Sequence, residues 1–482
     1  MKKLFSPLAW LFMAVVMFAS CLGDSEDESV YYKDTAISSF VLGTMNRYLH
    51  TTSSIGTDSV YKQTYAGSAY KFYIDHVNRT VYNTDSLPYG TDAKHVVCII
   101  TSKNLGSIGI KSLISDSIFA YRSSDSIDFS SPRIVRILSN DMSSIRDYTV
   151  KVNVHQERAD EFKWQQMTTP EWMASMQKVR ALSCGDRMFV FGSTDGTSGV
   201  IYSSPIADGN SWTAVTTDIS TPLTADIVEN VAVKDDMLYM KVGDALMRSA
   251  NGENWETVSD PFGSGLKSFY GTSSNLFFAA GTDGALYASD NGSSWWVEPL
   301  DDQTTKLPTT DINIVSSPLV TDETAERIVI LGNRDITAYP DDDCAVAWAK
   351  VCLLPEVEEP GNMDIKSSWM LLDTSVKSYA LPRMNHLVAI PYADGLLALG
   401  AEGLGACNLA AFSRFYLSLD GGINWVKDSR FSLPKTFASG SAFAMTVDSN
   451  HFIWLFCSES GQVWRGRLNE SGWQKEEKAV TE

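Results

Sequence analysis

The chain has 482 residues, 44% of them apolar and 11% aromatic, with a formal charge of −19. That apolar content suffices for more than one packed core and excludes disorder as the main state. The negative balance, with no Lys/Arg run longer than a pair, excludes a phosphate-reading surface and hence a nucleic-acid ligand.

At the N-terminus, Lys2 and Lys3 precede the apolar run LFSPLAWLFMAVVM, which leads into Phe18-Ala19-Ser20-Cys21. A short basic start, an apolar stretch of this length and small residues before a cysteine read as a secretory signal over 1–20, not a spanning helix. The Phe-Ala-Ser-Cys segment resembles the bacterial lipoprotein box. That resemblance implies a lipid on Cys21, the membrane as partner, and an outer-membrane address. Residues 21–30, which include LGDSEDE, form an acidic tether that cannot pack. The tether is similar to the export signal of Bacteroidetes surface lipoproteins, which implies exposure on the cell surface. Removing Lys2 and Lys3 takes the side-chain charge from −19 to −21. Beyond this leader no stretch approaches the ~18 apolar residues of a membrane helix. Six further cysteines (98, 184, 344, 352, 407 and 457) show no CxxC pattern. Cys344 and Cys352 could pair in an oxidising compartment, and buried free thiols are the alternative.

Residues 31–155 contain no tryptophan, whereas twelve lie between Trp164 and Trp473. This shift marks a domain boundary. Alternation in DYTVKVNVH sets Tyr148, Val150, Val152 and Val154 on one face, the signature of a half-buried strand. SVYKQTYA, AYKFYIDH, HVVCIITS and RIVRILS read as further strands separated by turn-rich pieces, as in a β-sandwich. The segment resembles the Ig-like or cadherin-like sandwiches that precede effector domains in Bacteroidetes lipoproteins, which implies a presentation role. Its Asp-Ser/Thr-aliphatic triplets resemble the O-glycosylation sequon of the same group. A charged linker, 156–163, follows.

Residues 164–482 repeat. Six apolar phrases (DRMFVFGS, DMLYMKVGD, NLFFAAGTDG, RIVILGNRD, GLLALGAEG and HFIWLFCSESG) are each followed by a second strand, a turn and a tryptophan. In the fourth unit Trp348 lies within its strand, so Trp369 is the counterpart. Six units of about 50 residues with four short strands each predict a six-bladed β-propeller. The segment around Trp164 is either a strand that closes the ring or a cap on the first blade.

In SLDGGINW, Ser418, Asp420, Gly422 and Trp425 match the Asp-box, Ser-x-Asp-x-Gly-x-x-Trp. Related turns carry Asp208, Gly209 and Trp212; Ser249, Asn251, Gly252 and Trp255; and Ser289, Asn291, Gly292 and Trp295. Trp369 and Trp473 complete the set. Hydroxyl and carboxylate or amide oxygens accept backbone N–H bonds, glycine supplies positive φ, and tryptophan packs between sheets. These acids are therefore structural. Asp-boxes resemble those of sialidases and of other bacterial repeat propellers, with kelch-like phrases beside them.

Sialidase-like catalysis needs an arginine cluster, a tyrosine nucleophile and an acid/base aspartate. The family's Phe-Arg-Ile-Pro motif is absent, and Arg383 in ALPRMN matches it poorly. HExxH, GxSxG, GxGxxG and P-loop patterns are missing, and the histidines are scattered, so no cofactor or metal is expected. Asp341 to Asp343 could hold calcium, against a solvated loop. The longest loops of the expected ligand face, 332–343 and 400–414, offer Arg334, Asp335, Tyr339, Glu402, Asn408 and Arg414 as candidate ligand-binding residues. The expectation is an all-β surface lipoprotein: an Ig-like β-sandwich, then a six-bladed propeller that binds a glycan or protein without catalysis. The alternatives are a divergent glycoside hydrolase or lyase, and a scaffold subunit of an outer-membrane complex.

Overall fold

The computed structural model describes residues 31–52, 58–319, 321–353, 368–372, 376–428 and 430–473. The signal, the tether and Cys21 lie outside the described residues. The described chain is all-β, its only helical pieces being short 3-10 turns. No helix among the described residues is long and apolar enough to cross a membrane. The chain divides into two compact units at Glu157/Arg158.

In the first unit, Ile37–Leu42 pairs with Cys98–Ser102, and Thr44–Thr52 with Asp58–Ala66. A six-stranded sheet runs in the order Phe72–Asp75, Thr80–Asn83, Ile145–Val150, Arg133–Leu138, Ser107–Lys111, Ile118–Ala120. The second and third strands of this order, Thr80–Asn83 and Ile145–Val150, pair in parallel. Period two sets Val135, Ile137, Tyr148 and Val150 into one core with Phe40, Leu42 and Phe129. The SVYKQTYA strand forms as expected but is not half-buried. Apart from Tyr65 it is exposed throughout, because the hairpin to which it belongs lies outside the six-stranded sheet.

The second unit contains six four-stranded antiparallel sheets, here numbered I to VI. The innermost strands are Lys178–Cys184, Val231–Lys234, Leu266–Thr272, Thr310–Leu319, Val388–Tyr392 and Phe443–Val447. Each apolar phrase of the sequence is the second strand of its sheet. Each innermost strand neighbours the next in cyclic order, and that of sheet VI neighbours that of sheet I, closing a ring. Six apolar clusters fill the boundaries. Phe278, Ile328, Ile330 and Trp369, for example, lie between sheets III and IV, and Met188, Val190, Trp454 and Phe456 between VI and I.

Closure uses both chain ends of the unit. Phe162–Gln166 pairs antiparallel with Val463–Leu468 and is the outermost strand of sheet VI. The Trp164 segment is thus the closing strand rather than a cap on the first sheet. Trp473 follows a 3-10 turn, Asn469–Gly472, and the outermost described strand of sheet VI is Phe162–Gln166.

Cys344 and Cys352 cannot pair. They sit at opposite ends of the strand region containing Val346–Leu353, and an extended run of that length spans ~26 Å, far beyond the ~7 Å disulfide limit. None of the six described cysteines is joined in a disulfide.

Candidate functional site: the ring mouth and its flanking loops

In every four-stranded antiparallel sheet the first-to-second and third-to-fourth turns lie at one end of the ring. The second-to-third loops and the inter-sheet connections lie at the other. The Asp-box-like turns are all third-to-fourth turns. At Ser418 the hydroxyl accepts from Gly422 N–H (2.8 Å), and Asp420 Oδ1 accepts from Asn424 N–H (2.9 Å). Burial opposes ionisation of Asp420, but hydrogen bonds from Asn424 and Ser418 outweigh it and lower its pKa. Ser249 and Asn251 hold Gly252, Glu253 and Asn254 in the same way, and Ser289 and Asn291 hold Gly292, Ser293 and Ser294. Asp208 accepts from the N–H groups of Asn210 and Ser211, which with the Ser211 hydroxyl pull its pKa down to about 2.

The indoles of Trp212, Trp255 and Trp425 donate to the carbonyls of Gly209, Gly252 and Gly422. Trp295 makes no such bond and packs against Phe262 at 5.2 Å. Gly252 (φ +78°) presses on Phe189 of sheet I, and Gly209 (φ +59°) on Trp454 of sheet VI, so each turn buttresses the preceding sheet. Trp369, fully buried, precedes the outer strand Met370–Leu371 and packs on Phe278 of sheet III at 5.5 Å. These groups are tied into turns and sheet boundaries.

The opposite end carries the two long loops, which do not converge on a ligand. Arg334 forks onto Asp342 (2.8 and 2.7 Å) and stacks over Tyr339 at 3.7 Å. Asp335 caps its own loop through the N–H groups of Ala338 and Thr337, which lower its pKa. Tyr339 donates to the Thr305 carbonyl. Arg383 is 1% exposed and donates to the carbonyls of Tyr339, Arg334 and Asp342, so it is the floor of the 334–343 loop rather than a ligand arm. Asp343 is bound by Lys377, which holds its pKa low. Among the described residues no group of three metal-ligating side chains assembles. In the second loop Glu402 accepts from Asn385 (3.1 Å), while Asn408 and Arg414 are exposed.

Sequence reasoning missed the ring mouth between these loops. Lys178 opens the innermost strand of sheet I, with Arg180 two residues on. Glu229 precedes that of sheet II, Asp311 lies at the start of that of sheet IV, and His386 precedes that of sheet V. Lys178 bridges Glu229 at 2.9 Å. Asn333 donates to Asp311 at 2.8 Å. Asp311 feels both His386 and Glu229 electrostatically, and burial pushes its carboxyl pKa up. Asparagines fix the strands beneath: Asn230 accepts from Phe269 N–H, and Asn313 bonds both Leu387 O and Ala389 N–H. The available signal was position within the repeat, a titratable residue at or just before the innermost strands of sheets I, II, IV and V.

In the first unit, Arg47, Gln63, Thr64, Tyr65, Tyr70 and Pro88 line an open cleft of about 450 Å³. Arg47 donates to the Tyr89 carbonyl, and Tyr65 bonds Thr91, so part of its polar lining is already engaged.

A comparison with curated proteins returned no match. Three solved structures with distant similarity are of different kinds. The catalytic domain of a GH62 α-L-arabinofuranosidase from Coprinopsis cinerea has 13% identity and a TM-score of 0.31, covering 51% of this chain and 92% of that one. A Trypanosoma rangeli sialidase mutant displaying trans-sialidase activity has 11% identity and a TM-score of 0.34, covering 62% of this chain and 55% of that one. YCF48 bound to D1 peptide has 13% identity and a TM-score of 0.34, covering 64% of this chain and 96% of that one. The chain spans just over half of the sialidase's length. Residues 40–152 match the DUF6242 N-terminal domain model and residues 158–476 the DUF6242 beta propeller domain model, so the chain belongs to the DUF6242 family and its second unit is a β-propeller.

Proposed function

We propose that this chain is a bacterial surface lipoprotein, anchored through Cys21, whose six-bladed propeller binds a glycan at its ring mouth without transforming it. An Ig-like N-terminal domain presents the propeller above the membrane. The lipid anchor and the address rest on the Phe18–Cys21 box and the acidic tether. The blade count rests on six sheets and a closed circle of innermost strands.

One observation carries the choice of binding over hydrolysis. The two arginines best placed to grip a substrate from the loops, Arg334 and Arg383, are already engaged by Asp342 and by backbone carbonyls. What remains open at this end is a ring of mixed polar groups, which suits sugar hydroxyls. A protein ligand would call for a buried aromatic or aliphatic anchor site.

A second reading, glycoside hydrolysis, has one observation in its favour. Asp311, its carboxyl pKa raised by burial, feels Glu229 electrostatically, so this end of the ring carries two interacting carboxyls, the residue type that glycoside hydrolysis uses. The purified full chain is incubated with a broad glycan panel, and retained glycan and released sugar are read in the same wells. Retention without release supports binding. Release that is lost in Asp311→Asn replaces it with hydrolysis.

A further inference from the structure

Side chains alternate along Lys178–Cys184. Val179 and Ala181 enter the core shared with sheet VI, while Leu182 and Cys184 enter the one shared with sheet II. By period two, Lys178 and Arg180 belong to the sheet II side. Lys178, nearer the rim, reaches Glu229. Arg180 lies one step deeper and makes no hydrogen bond, ion pair or ring contact with any described residue. It is only half-buried, as a group facing an axial opening would be, yet protein crowds it enough that burial lowers its pKa, with Glu229 alone countering. Other arginines of this end have found partners within the fold, Arg334 a carboxylate and Arg383 three carbonyls. An unpartnered guanidinium with reduced access to water carries a desolvation cost that an anion would offset.

We propose that Arg180 anchors an acidic sugar, one bearing a carboxylate or sulfate, in the mouth of the ring. This rests on the reading of the mouth as a glycan site and names the class of glycan. The planar guanidinium presents a fork that matches carboxylate and sulfate oxygens. Around it, Glu229 and Asp311 accept sugar hydroxyls. The overall charge of −19 repels anions elsewhere, so one inward cation discriminates where many surface cations would not.

The test titrates the full chain by calorimetry with three probes: oligogalacturonate (carboxylate), a sulfated neutral-backbone oligosaccharide, and an uncharged cello-oligosaccharide. Variants are Arg180→Gln, Arg180→Lys and, as a control remote from the mouth, Arg248→Gln. One or both acidic probes are expected to bind at least tenfold more tightly than the uncharged one. Arg180→Gln removes that preference, Arg180→Lys restores part of it, and Arg248→Gln changes nothing. The unliganded melting temperature gives a readout independent of ligand. If Arg180 is an unpartnered cation, Arg180→Gln raises Tm, and if it is structural, Arg180→Gln lowers it and the proposal falls. Equal binding of charged and uncharged sugars, untouched by Arg180→Gln, overturns the acidic class while leaving glycan binding in place. Absence of binding by all three probes and across the wider panel overturns both.

Discussion

Glu298 is the group whose removal tests most directly how the sheets are held together. It follows the outermost strand of sheet III and is 3% exposed. Its carboxylate accepts from Lys350 Nζ at 2.5 Å and from the indoles of Trp369 and Trp296 at 2.7 Å each. Lys350 and Trp369 belong to sheet IV and are buried, whereas Trp296 is 39% exposed and can turn to water. Glu298→Ala therefore strands an ammonium and one indole N–H inside the protein. Removing one partner of a buried ion pair costs about 3–5 kcal/mol, and a stranded buried donor costs about 1–3 kcal/mol. The two overlap because one carboxylate serves both, which sets the expected loss at about 4–6 kcal/mol. Replacing both charges by apolar groups of similar volume, Glu298→Leu with Lys350→Met, leaves only the indole unsatisfied. That double variant should return to within about 2 kcal/mol of the parent. Urea unfolding followed by tryptophan fluorescence measures all three proteins. A loss below about 1 kcal/mol for Glu298→Ala, or a double variant less stable than the single, would refute the reasoning.

The box turns make a geometric prediction. Gly252→Ala meets left-handed strain of about 1–2 kcal/mol and a Cβ placed 2.6 Å from Phe189, for a total of about 2–4 kcal/mol. Gly243→Ala has positive φ but open space, so it should lose only the strain term; equal losses in a denaturation series would contradict the packing account. Arg383→Met should free the 334–343 loop, raising its amide exchange at least tenfold by mass spectrometry with little change in the box turns. Unchanged exchange would mean that the carbonyl contacts are idle. For Asp208, hydrogen bonding to Asn210 and Ser211 sets the folded pKa at about 2, below the unfolded ~3.9. Its contribution is complete above the unfolded value and disappears as pH falls through the folded one. Asp208→Asn should therefore flatten the Tm profile between about pH 4 and pH 2, a slope that melting scans in that window read directly.

The sheets were legible in the sequence where one strand dominates its periodicity. The second strand of every sheet is packed on both faces, so DRMFVFGS and HFIWLFCSESG appear as continuous apolar runs ending near a turn. Trp348 lies inside its strand and Trp369 precedes the outer strand Met370–Leu371. The closing strand was harder to read: FKWQQM looks like an exposed edge, and its partner Val463–Leu468 lies some 300 residues away, a pairing that no local pattern carries. The same non-local pairing explains the misreading of Trp473. NESGW has the residues of a box turn, but the edge it would introduce is already occupied by Phe162–Gln166.

The site was less legible, because composition does not say which charges the fold has already paired. Loops 332–343 and 400–414 attracted attention through length and polarity, yet Arg334, Asp335 and Tyr339 hold their own loop together. Innermost strands such as KVRALSC mix apolar and charged residues without a clean period, since their two faces enter different sheet boundaries and their ends approach the axis. In a repeat closed into a ring, residues at equivalent positions in different units come within electrostatic reach, as Glu229 and Asp311 do although they belong to the second and fourth sheets. A reading unit by unit sees one cation in the first repeat and one acid in the fourth. Only when the units are laid around a common axis does position within the repeat become proximity, and the ring mouth become a candidate site.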